Sequence, residues 1–364
     1  MRTIDFAYKV LRNGAFFGYL AAPMDGAPTI RASDSSEIKS SLSGVFAPVV
    51  TSAQGDVLEP NWLSDEIQPC IIIDGVESPL GSFLVSSSIP TENDSVKSLR
   101  IEAFGRCWRV RDTNSRTRLS FASGTNYLTA IETLLTGAGI TSASITPTSA
   151  VMADAREDWD PGTSYLTVIN QLLDEINYNP LHFSRDGLAV LEPASVPTAA
   201  NIRHKISDDP AEISGGASAI RVDRMLPQIS RESDVYNTPN VFVCICANPD
   251  KSSTMIASAE NTNMQSPLSI PRRGRQIVKI TVLDNVASQN ELQAYADRQR
   301  DMSLIGGETI TLAIDLQPDY SVGDVVGLRY GDLNALCIVR ALTMDLRIGG
   351  TLRLTLERVI YNLD

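Results

Sequence analysis

The chain has 364 residues, of which 43% are hydrophobic and 20% are charged, so we expect two or three domains with sizeable cores rather than disorder. Its 43 acidic and 31 basic residues give a formal charge of −12, which disfavours general binding to nucleic-acid phosphates or anionic membranes. Asp5 and Lys9 interrupt the N-terminal segment where a signal peptide is apolar. No apolar run approaches the roughly 20 residues of a membrane helix, so neither secretion nor membrane insertion is expected.

The cysteine pattern favours packing over cross-linking. Five cysteines are present, an odd number, and only Cys244 and Cys246 lie close together, in the segment VFVCICA. On a strand these two point to the same face, and buried free thiols pack like small apolar groups. We therefore predict core packing, no disulfide framework and folding in a reducing cytoplasm.

Residues 1–115 have the pattern of antiparallel strands. Asn13-Gly14 and Asp74-Gly75 each lie between apolar segments, and such dipeptides are typical of tight hairpins. Further along, the segment SLRIEAFGRCWRV alternates apolar and polar residues. The first domain is therefore predicted to be a β-barrel or sandwich, with the barrel preferred.

The middle of the chain carries an internal repeat. GTNYLTAIETLL begins at Gly124 and GTSYLTVINQLL begins at Gly162. In both copies the Tyr, Ile and paired Leu residues fall at helical spacing, which predicts one amphipathic helix per copy. Two copies are too few for a solenoid, which needs about three units or more.

The flanks of these helices define a small α/β insert, predicted at 116–198. Thr125 or Asn126 in the first copy and Thr163 or Ser164 in the second are candidate helix caps, because their side-chain oxygens can accept from free amide groups. After the second helix, SRDGLAVLEP predicts a hairpin around its Asp-Gly pair.

Strand patterns return in the C-terminal part, where we predict a second antiparallel β-barrel over 199–364. A peripheral strand and loop region is placed at about 236–285, including a long polar loop at NPDKSSTMIASAENTNMQSPLSI. A helix is predicted near 288–304, because Ser288 and Glu291 have the spacing of a capping box ahead of apolar residues. The fold class is therefore mainly β with an α+β insert.

The sequence is poor in catalytic chemistry. Only His182 and His204 are available, which excludes multi-histidine metal sites and leaves little for acid–base work near neutral pH. His182 lies in a predicted strand and is expected to be structural or interfacial, and His204 is expected at the surface. No nucleophile elbow, phosphate loop or dinucleotide fingerprint occurs. We name no catalytic, cofactor-binding or metal-binding residue, and predict that the chain is not an enzyme.

Two charged clusters leave alternatives open. Asp154, Glu157, Asp158 and Asp160 precede the second repeat helix, where negative charge favours the positive end of the helix dipole. A weak cation site or a catalytic pair are the alternatives for this acidic cluster. The basic cluster at PRRGR, ending at Arg275, is expected to be a solvated loop, with an acidic partner as its alternative.

The order of these features resembles a known family. Strands are followed by two Gly-Thr-x-Tyr-Leu-x-x-Ile helices, then by NYNPLHFSRDGLAVLEP, then by ELQAYADRQR leading to ETITLAIDLQPDYSVGDVVGL. Over roughly residues 95–364 this order resembles the tail or baseplate hub proteins of bacteriophages. That family is related to the N-terminal part of tail-associated lysozymes and to the spike proteins of type VI secretion.

The resemblance implies a structural function in the virion. A hub is similar to a tail-tube subunit doubled within one chain, so a homotrimer would offer six barrel-like domains to a six-fold tube and three-fold symmetry to a spike. The implied partners are further copies of the chain, a distal tail or tail-tube protein, a spike, fibre or lysozyme component, and the tape-measure protein. DNA would only pass through a negatively lined axial channel.

The implied location is the tail tip of the virion, after synthesis and assembly in the host cytoplasm. The sequence ends at Asp364, directly after the last predicted strand, so a peptidoglycan hydrolase is expected on a separate chain.

Two other functions compete with the hub. The first is a tail-delivered cell-wall hydrolase that uses the acidic cluster. The second is a β-rich distal tail protein that binds a receptor or another ligand; an aromatic content of 6% argues against a sugar-binding platform.

Overall fold

A computed structural model of the chain describes residues 3–93, 96–209, 222–233, 236–246, 254–264, 266–283, 286, 288–303 and 305–359. The fold is mostly β with few helices, and the predicted fold class is confirmed. The N-terminal strands are β1 (Ile4–Arg12), β2 (Ala15–Leu20), β3 (Pro23–Ser33), β4 (Ser40–Phe46), β5 (Val50–Thr51), β6 (Val57–Leu58), β7 (Glu66–Ile73), β8 (Val76–Pro79), β9 (Phe83–Asn93) and β10 (Val96–Gly105).

Both predicted N-terminal hairpins are confirmed. Asn13 and Gly14 join β1 to β2 with φ angles of 52° and 78°, and Asp74 and Gly75 join β7 to β8 with φ angles of 50° and 84°. Positive φ at both central residues gives the turn a twist that matches the flanking strands. Asn and Asp enter this left-handed region more readily than other non-glycine residues.

The α/β insert follows the N-terminal strands. Its elements, with the short helix that precedes it, are α1 (Cys107–Asp112), β11 (Leu119–Phe121), α2 (Tyr127–Gly137), β12 (Ala143–Ile145), β13 (Arg156–Trp159), α3 (Tyr165–Glu175), β14 (His182–Phe183) and β15 (Ala189–Leu191). The hairpin predicted at the Asp-Gly pair is confirmed, because β14 and β15 pair antiparallel around a turn in which Gly187 has a φ of 83°.

The repeat forms the two predicted helices, α2 and α3, with the predicted caps. The Asn126 side chain accepts from the backbone N–H groups of Leu128 and Thr129, and the Ser164 hydroxyl accepts from that of Leu166. Each cap satisfies amide groups that the first helical turn leaves without a partner.

The C-terminal part contains the remaining elements. These are β16 (Ile202–Ser207), β17 (Val222–Ser233), β18 (Val241–Cys246), β19 (Met255–Glu260), α4 (Ile270–Arg273), β20 (Val278–Leu283), α5 (Gln289–Met302), β21 (Ile305–Asp315), β22 (Val325–Tyr330), β23 (Leu333–Asp345) and β24 (Thr351–Val359), and a 3-10 turn (Ala199–Asn201) precedes β16.

Six C-terminal strands close into a barrel. Their order is β22-β16-β17-β21-β24-β23, and β23 pairs back with β22. Alternate residues such as Ile310, Leu312 and Ile314 of β21 are buried, as a barrel interior requires. The predicted antiparallel arrangement holds except at β16, which is parallel to both of its neighbours.

The N-terminal strands extend the same sheet. β23 of the barrel pairs antiparallel with β3, and the path continues through β4, β10, β9, β7, β1, β2 and β5 to β6. Within the described residues this path ends at β6 without pairing back to β3. One hydrophobic cluster spans both parts, from Tyr8 and Phe46 to Leu354 and Leu356. The two β parts therefore share a sheet and a core.

The insert and the peripheral region have separate cores. The insert core is built around α2, α3 and β15, and it includes Cys107 and Val110 of α1. A smaller cluster joins α5 to the sheet of β19, β18 and β20. The domain boundaries proposed at 115/116 and 198/199 stay predictions.

One element was missed in the segment predicted to be a long polar loop. Met255–Glu260 forms β19 and pairs antiparallel with β18. Its inward residues are Ala257 and Ala259, both buried. Alanine is a weak strand signal, and the exposed Ile256 breaks the apolar–polar alternation, so the strand was not recognised. The residues of that segment at 247–253 and 265 lie outside the described residues.

Candidate functional site

The two histidines do not form a reactive site. His182 is half-buried in β14, with Nε2 lying 3.8 Å from Glu192 Oε1. The prediction that His204 lies at the surface is wrong, because its side chain is only 14% exposed. Its ring stacks on Tyr320 with centroids 3.9 Å apart, and Nε2 lies 3.2 Å from Asp324 Oδ2. The sequence did not predict this contact, because the residues next to His204 along the chain are charged or polar. The contact forms only when β16 pairs with β22.

The acidic cluster before α3 is described in part. Asp160 is paired with Arg118 at 2.8 Å, on the surface, and the Ser164 hydroxyl rather than a carboxylate caps the helix. The expected interaction of the cluster with the helix dipole stays a prediction. The side chain of Asp158 lies outside the described residues. Across the part of the chain that the structure describes, no three His, Cys, Asp or Glu residues are grouped to hold a metal ion.

All five cysteines are buried free thiols. Cys244 and Cys246 lie on one face of β18, as predicted, and pack in the cluster beneath α5. Burial raises the pKa of Cys107 to about 11 and that of Cys337 to about 12. A thiol with so high a pKa is a poor nucleophile at neutral pH, because little thiolate is present.

A buried ionic network, not predicted from the sequence, holds the repeat helices together. Arg156 and Glu175 are 3% and 6% exposed, and the guanidinium donates to both carboxylate oxygens at 2.7 and 3.0 Å. The Tyr127 hydroxyl donates to Glu175 Oε2 at 2.9 Å. Burial, with the Glu175 charge added, raises the pKa of Tyr127 above its ordinary value. The arginine also lies 4.9 Å from the ring centroid of Trp159.

The contacts between α2 and α3 explain why the sequence repeats one helix pattern. Tyr127 opens α2 and bonds to Glu175 at the end of α3. Tyr165 opens α3 and lies against Gly137 at the end of α2, where an added Cβ would be 3.0 Å from the ring. The start of each helix thus contacts the end of the other. The repeated tyrosine occupies equivalent places in an antiparallel helix pair.

Arg106 contacts both the N-terminal sheet and the insert. Arg106 donates to Glu66 Oε2 of β7 at 2.6 Å and to the backbone oxygen of Gly187 at 2.6 Å. The pair is largely buried, with side chains 15% and 5% exposed. Arg106 therefore joins the sheet to the turn between β14 and β15.

Further polar contacts join the insert to the C-terminal part. Arg185 donates to the backbone oxygen of Pro318 in the barrel. Asn177 donates to Glu291 Oε2 at 2.9 Å, and Arg298 donates to Asp174 Oδ1 at 3.0 Å. Ser288 caps α5 as predicted, whereas the Glu291 side chain of the expected capping box bonds to the insert. The insert is therefore bonded to the C-terminal part as well as to the N-terminal sheet.

The basic cluster is more ordered than the predicted loop. Arg272 and Arg273 end the short helix α4, and Gly274 follows with a φ of 64°. Arg273 donates to the backbone oxygen of Thr238 at 2.6 Å, and Arg275 lies 4.5 Å from the ring centroid of Tyr236. Arg272 and Arg275 are exposed.

This chain is similar to known proteins in its fold. No family model matches the chain, and no curated protein sequence matches it either. A tail protein from Neisseria meningitidis is similar over 97% of this chain and 96% of its own, with a TM-score of 0.63 and 13% identity. The 43 kDa tail protein of prophage MuSo2 from Shewanella oneidensis covers 97% and 98%, with a TM-score of 0.62 and 11% identity.

A chain of the Francisella PdpA-VgrG complex is also similar, with a TM-score of 0.51 and 10% identity. The match covers 99% of this chain and 58% of that one. The fold is therefore shared with phage tail proteins and with a chain of the PdpA-VgrG complex, and the family resemblance indicated by the sequence is confirmed at the level of the fold. In the described residues no helix is long and apolar enough to cross a bilayer.

Proposed function

We propose that this chain is the structural hub of a phage tail tip or baseplate. In this function it forms a homotrimeric ring that adapts a six-fold tail tube to a three-fold spike or fibre. The observation that carries the proposal is the likeness to two phage tail proteins over nearly the whole length of all three chains.

The architecture supports this function. Each chain has a closed barrel and an N-terminal sheet that share strands and a core. Three copies therefore supply six β units, the number that a six-fold tube presents. The insert is bonded to both β parts, so the chain has the rigidity that a symmetry adaptor needs.

The proposed partners are those of a tail tip. They are two further copies of the chain, a distal tail or tail-tube protein, a spike, fibre or lysozyme component, and the tape-measure protein. DNA is expected to pass through the axial channel without binding, because the net charge of −12 repels phosphates. Assembly is placed in the host cytoplasm and the final location in the virion tail.

No reaction is assigned to the chain. The strongest candidate for catalysis was the acidic cluster, and Asp160 of that cluster is ion-paired with Arg118. A general acid instead needs a raised pKa in a cleft that admits substrate. The structural function therefore accounts for the observations better than a hydrolase does.

Electron microscopy of the purified protein in negative stain tests the proposal. Class averages computed without imposed symmetry are expected to show three-fold rings with an axial opening. Particles with two-fold symmetry, or open chains of subunits, would contradict it.

A further inference from the structure

The peripheral sheet leaves one of its faces open. Its order is β19-β18-β20, and α5 covers the face that carries Cys244 and Ala257. On the other face Ile280 and Val282 of β20 are each 63% exposed, and Ile256 of β19 is 59% exposed. The register places Ile280 beside Val243 and Val282 beside Ile245, so the open face is aliphatic across β20 and β18 and, on β19, at Ile256, whereas Ser258 and Glu260 are polar. Exposed apolar patches of this kind mark interaction sites.

Strand β20 is also a free edge. It pairs with β18 on one side, and in the described residues no strand pairs with its other side. A bare apolar edge strand tends to pair with another chain unless charge, proline or a covering element prevents it. Here Arg272 and Arg275 are exposed at the amino end, and the one charged residue within the strand, Lys279, is exposed and donates to Gln299 of α5. We name Arg272, Arg275, Val278, Ile280 and Val282 the β20 surface.

A second apolar surface lies at the end of the long sheet, which is separate from the sheet of β20. β6 ends the long sheet, and Val57 is 78% exposed. Tyr19, Thr51 and Val57 lie side by side on β2, β5 and β6, and Phe16 packs against Tyr19 with ring centroids 4.8 Å apart.

The charge here has the opposite sign. Asp56 and Glu59 flank the strand and are exposed, and Leu63 in the next turn is 96% exposed. We name Asp56, Val57, Glu59 and Leu63 the β6 surface.

Ring symmetry requires two such surfaces. In a two-fold dimer one patch meets its own copy, whereas in a three-fold ring each subunit meets the next through two different complementary patches. The β20 surface contains no carboxylate, so pairing with itself would give its arginines no acidic partner. Pairing with the β6 surface brings arginines against carboxylates and aliphatic side chains together.

We propose that the β20 surface of one copy binds the β6 surface of the next and so closes the ring. This inference rests on the proposed homotrimeric hub, and it adds which parts of the chain form the contact. The occupant of the β20 surface is a second copy of this chain, selected by charge and by the exposed aliphatic residues.

A charge swap tests the pairing. R272E/R275E reverses the basic side and D56K/E59K reverses the acidic side. A third variant, the fourfold variant, carries all four changes. R116E/R347E serves as a matched control, because it reverses two exposed arginines outside both surfaces. Circular dichroism confirms that each variant folds, and light scattering behind size exclusion gives the mass over a series of concentrations.

The wild type and the control are expected to be trimers. Each double variant is expected to need a concentration on the order of a hundredfold higher to remain trimeric, because like charges now face each other. The fourfold variant is expected to remain trimeric at a concentration at least tenfold lower than each double variant needs.

Three outcomes would overturn the inference. Double variants that stay trimeric at the same concentrations as the wild type would show that the contact between copies lies elsewhere. The hub proposal would be unaffected. Failure of the fourfold variant to recover would show that the two surfaces do not meet. A monomeric wild type at every concentration would show that they do not close a ring, and would count against the homotrimer itself.

Discussion

Glu175 has both carboxylate oxygens bonded to Arg156 in the core of the insert, and one of them also accepts from Tyr127. Removing water from two charges is costly, and the bidentate geometry with the added hydroxyl compensates for this cost. The sequence did not reveal the contact, because Arg156 lies in a run of acidic and polar residues that is typical of a surface.

Replacement of Glu175 by Gln should be strongly destabilising. The change removes the Glu175 carboxylate charge from the buried Arg156, and removing one partner of a buried pair costs about 3–5 kcal/mol. Tyr127→Phe should cost about 1 kcal/mol, since it removes one hydrogen bond. Urea unfolding measures both. Glu132→Gln on the exposed face of α2 is the matched control, and a Glu175 variant as stable as this control would refute the network's contribution.

Glu308 should contribute to acid sensitivity. Its burial opposes ionisation, but hydrogen bonds from Arg358 and Arg231 outweigh that effect and hold the pKa of Glu308 below its ordinary value of 4.5. A carboxylate with a lowered folded pKa stabilises the fold above the unfolded pKa, and this stability is lost as the pH falls through the folded pKa. Glu308→Gln should therefore flatten the fall in unfolding free energy below about pH 4.5. Parallel curves for variant and wild type would contradict this.

At the scale of elements, the caps of α2 and α3 should have separate and similar effects. Asn126→Ala and Ser164→Ala each remove the acceptor for the first free amide groups, at a cost of about 0.5–2 kcal/mol. Asn126→Ser should restore most of the loss, because serine caps equally well. Thermal unfolding followed by circular dichroism measures these changes. If Asn126→Ser is no more stable than Asn126→Ala, the asparagine acts through its other bonds, to Thr148 and Ala150.

The turn between β14 and β15 should be sensitive to a side chain at Gly187. Gly187 and Gly162 have φ angles of 83° and 91°, so alanine is strained at both, by about 1–2 kcal/mol. At Gly187 alone, a Cβ would also lie 2.6 Å from Arg106 Nη1 and displace it from its bonds. Gly187→Ala should therefore lose about 1.5–3 kcal/mol more than Gly162→Ala, the value of a charged hydrogen bond. Equal losses would mean that Arg106 adjusts freely.

The elements that were predictable share one property. The hairpins at Asn13-Gly14 and Asp74-Gly75 and the helix caps depend on residues within one turn of each other. β19 and the burial of His204 depend on partners far away in sequence, β18 for the first and Tyr320 for the second. Local patterns carry no information on such partners, so the fold class was predictable whereas these contacts and the surfaces proposed for assembly were not.

At the scale of the molecule, strand pairing and polar contacts join the parts of the chain. β3 of the N-terminal part pairs with β23 of the barrel, and Arg340 donates to Asp34 across the same boundary at 2.8 Å. The insert then bonds to both β parts. These contacts join all three parts of the chain, as the proposed function in connecting two symmetries requires.

The central claim is that three such chains form one hub, and the absolute mass of the purified wild-type protein tests it most directly. Light scattering behind size exclusion, over a series of concentrations, should give three times the chain mass of 39.5 kDa. A mass of 39.5 kDa at every concentration, or twice that value, would contradict the homotrimeric hub.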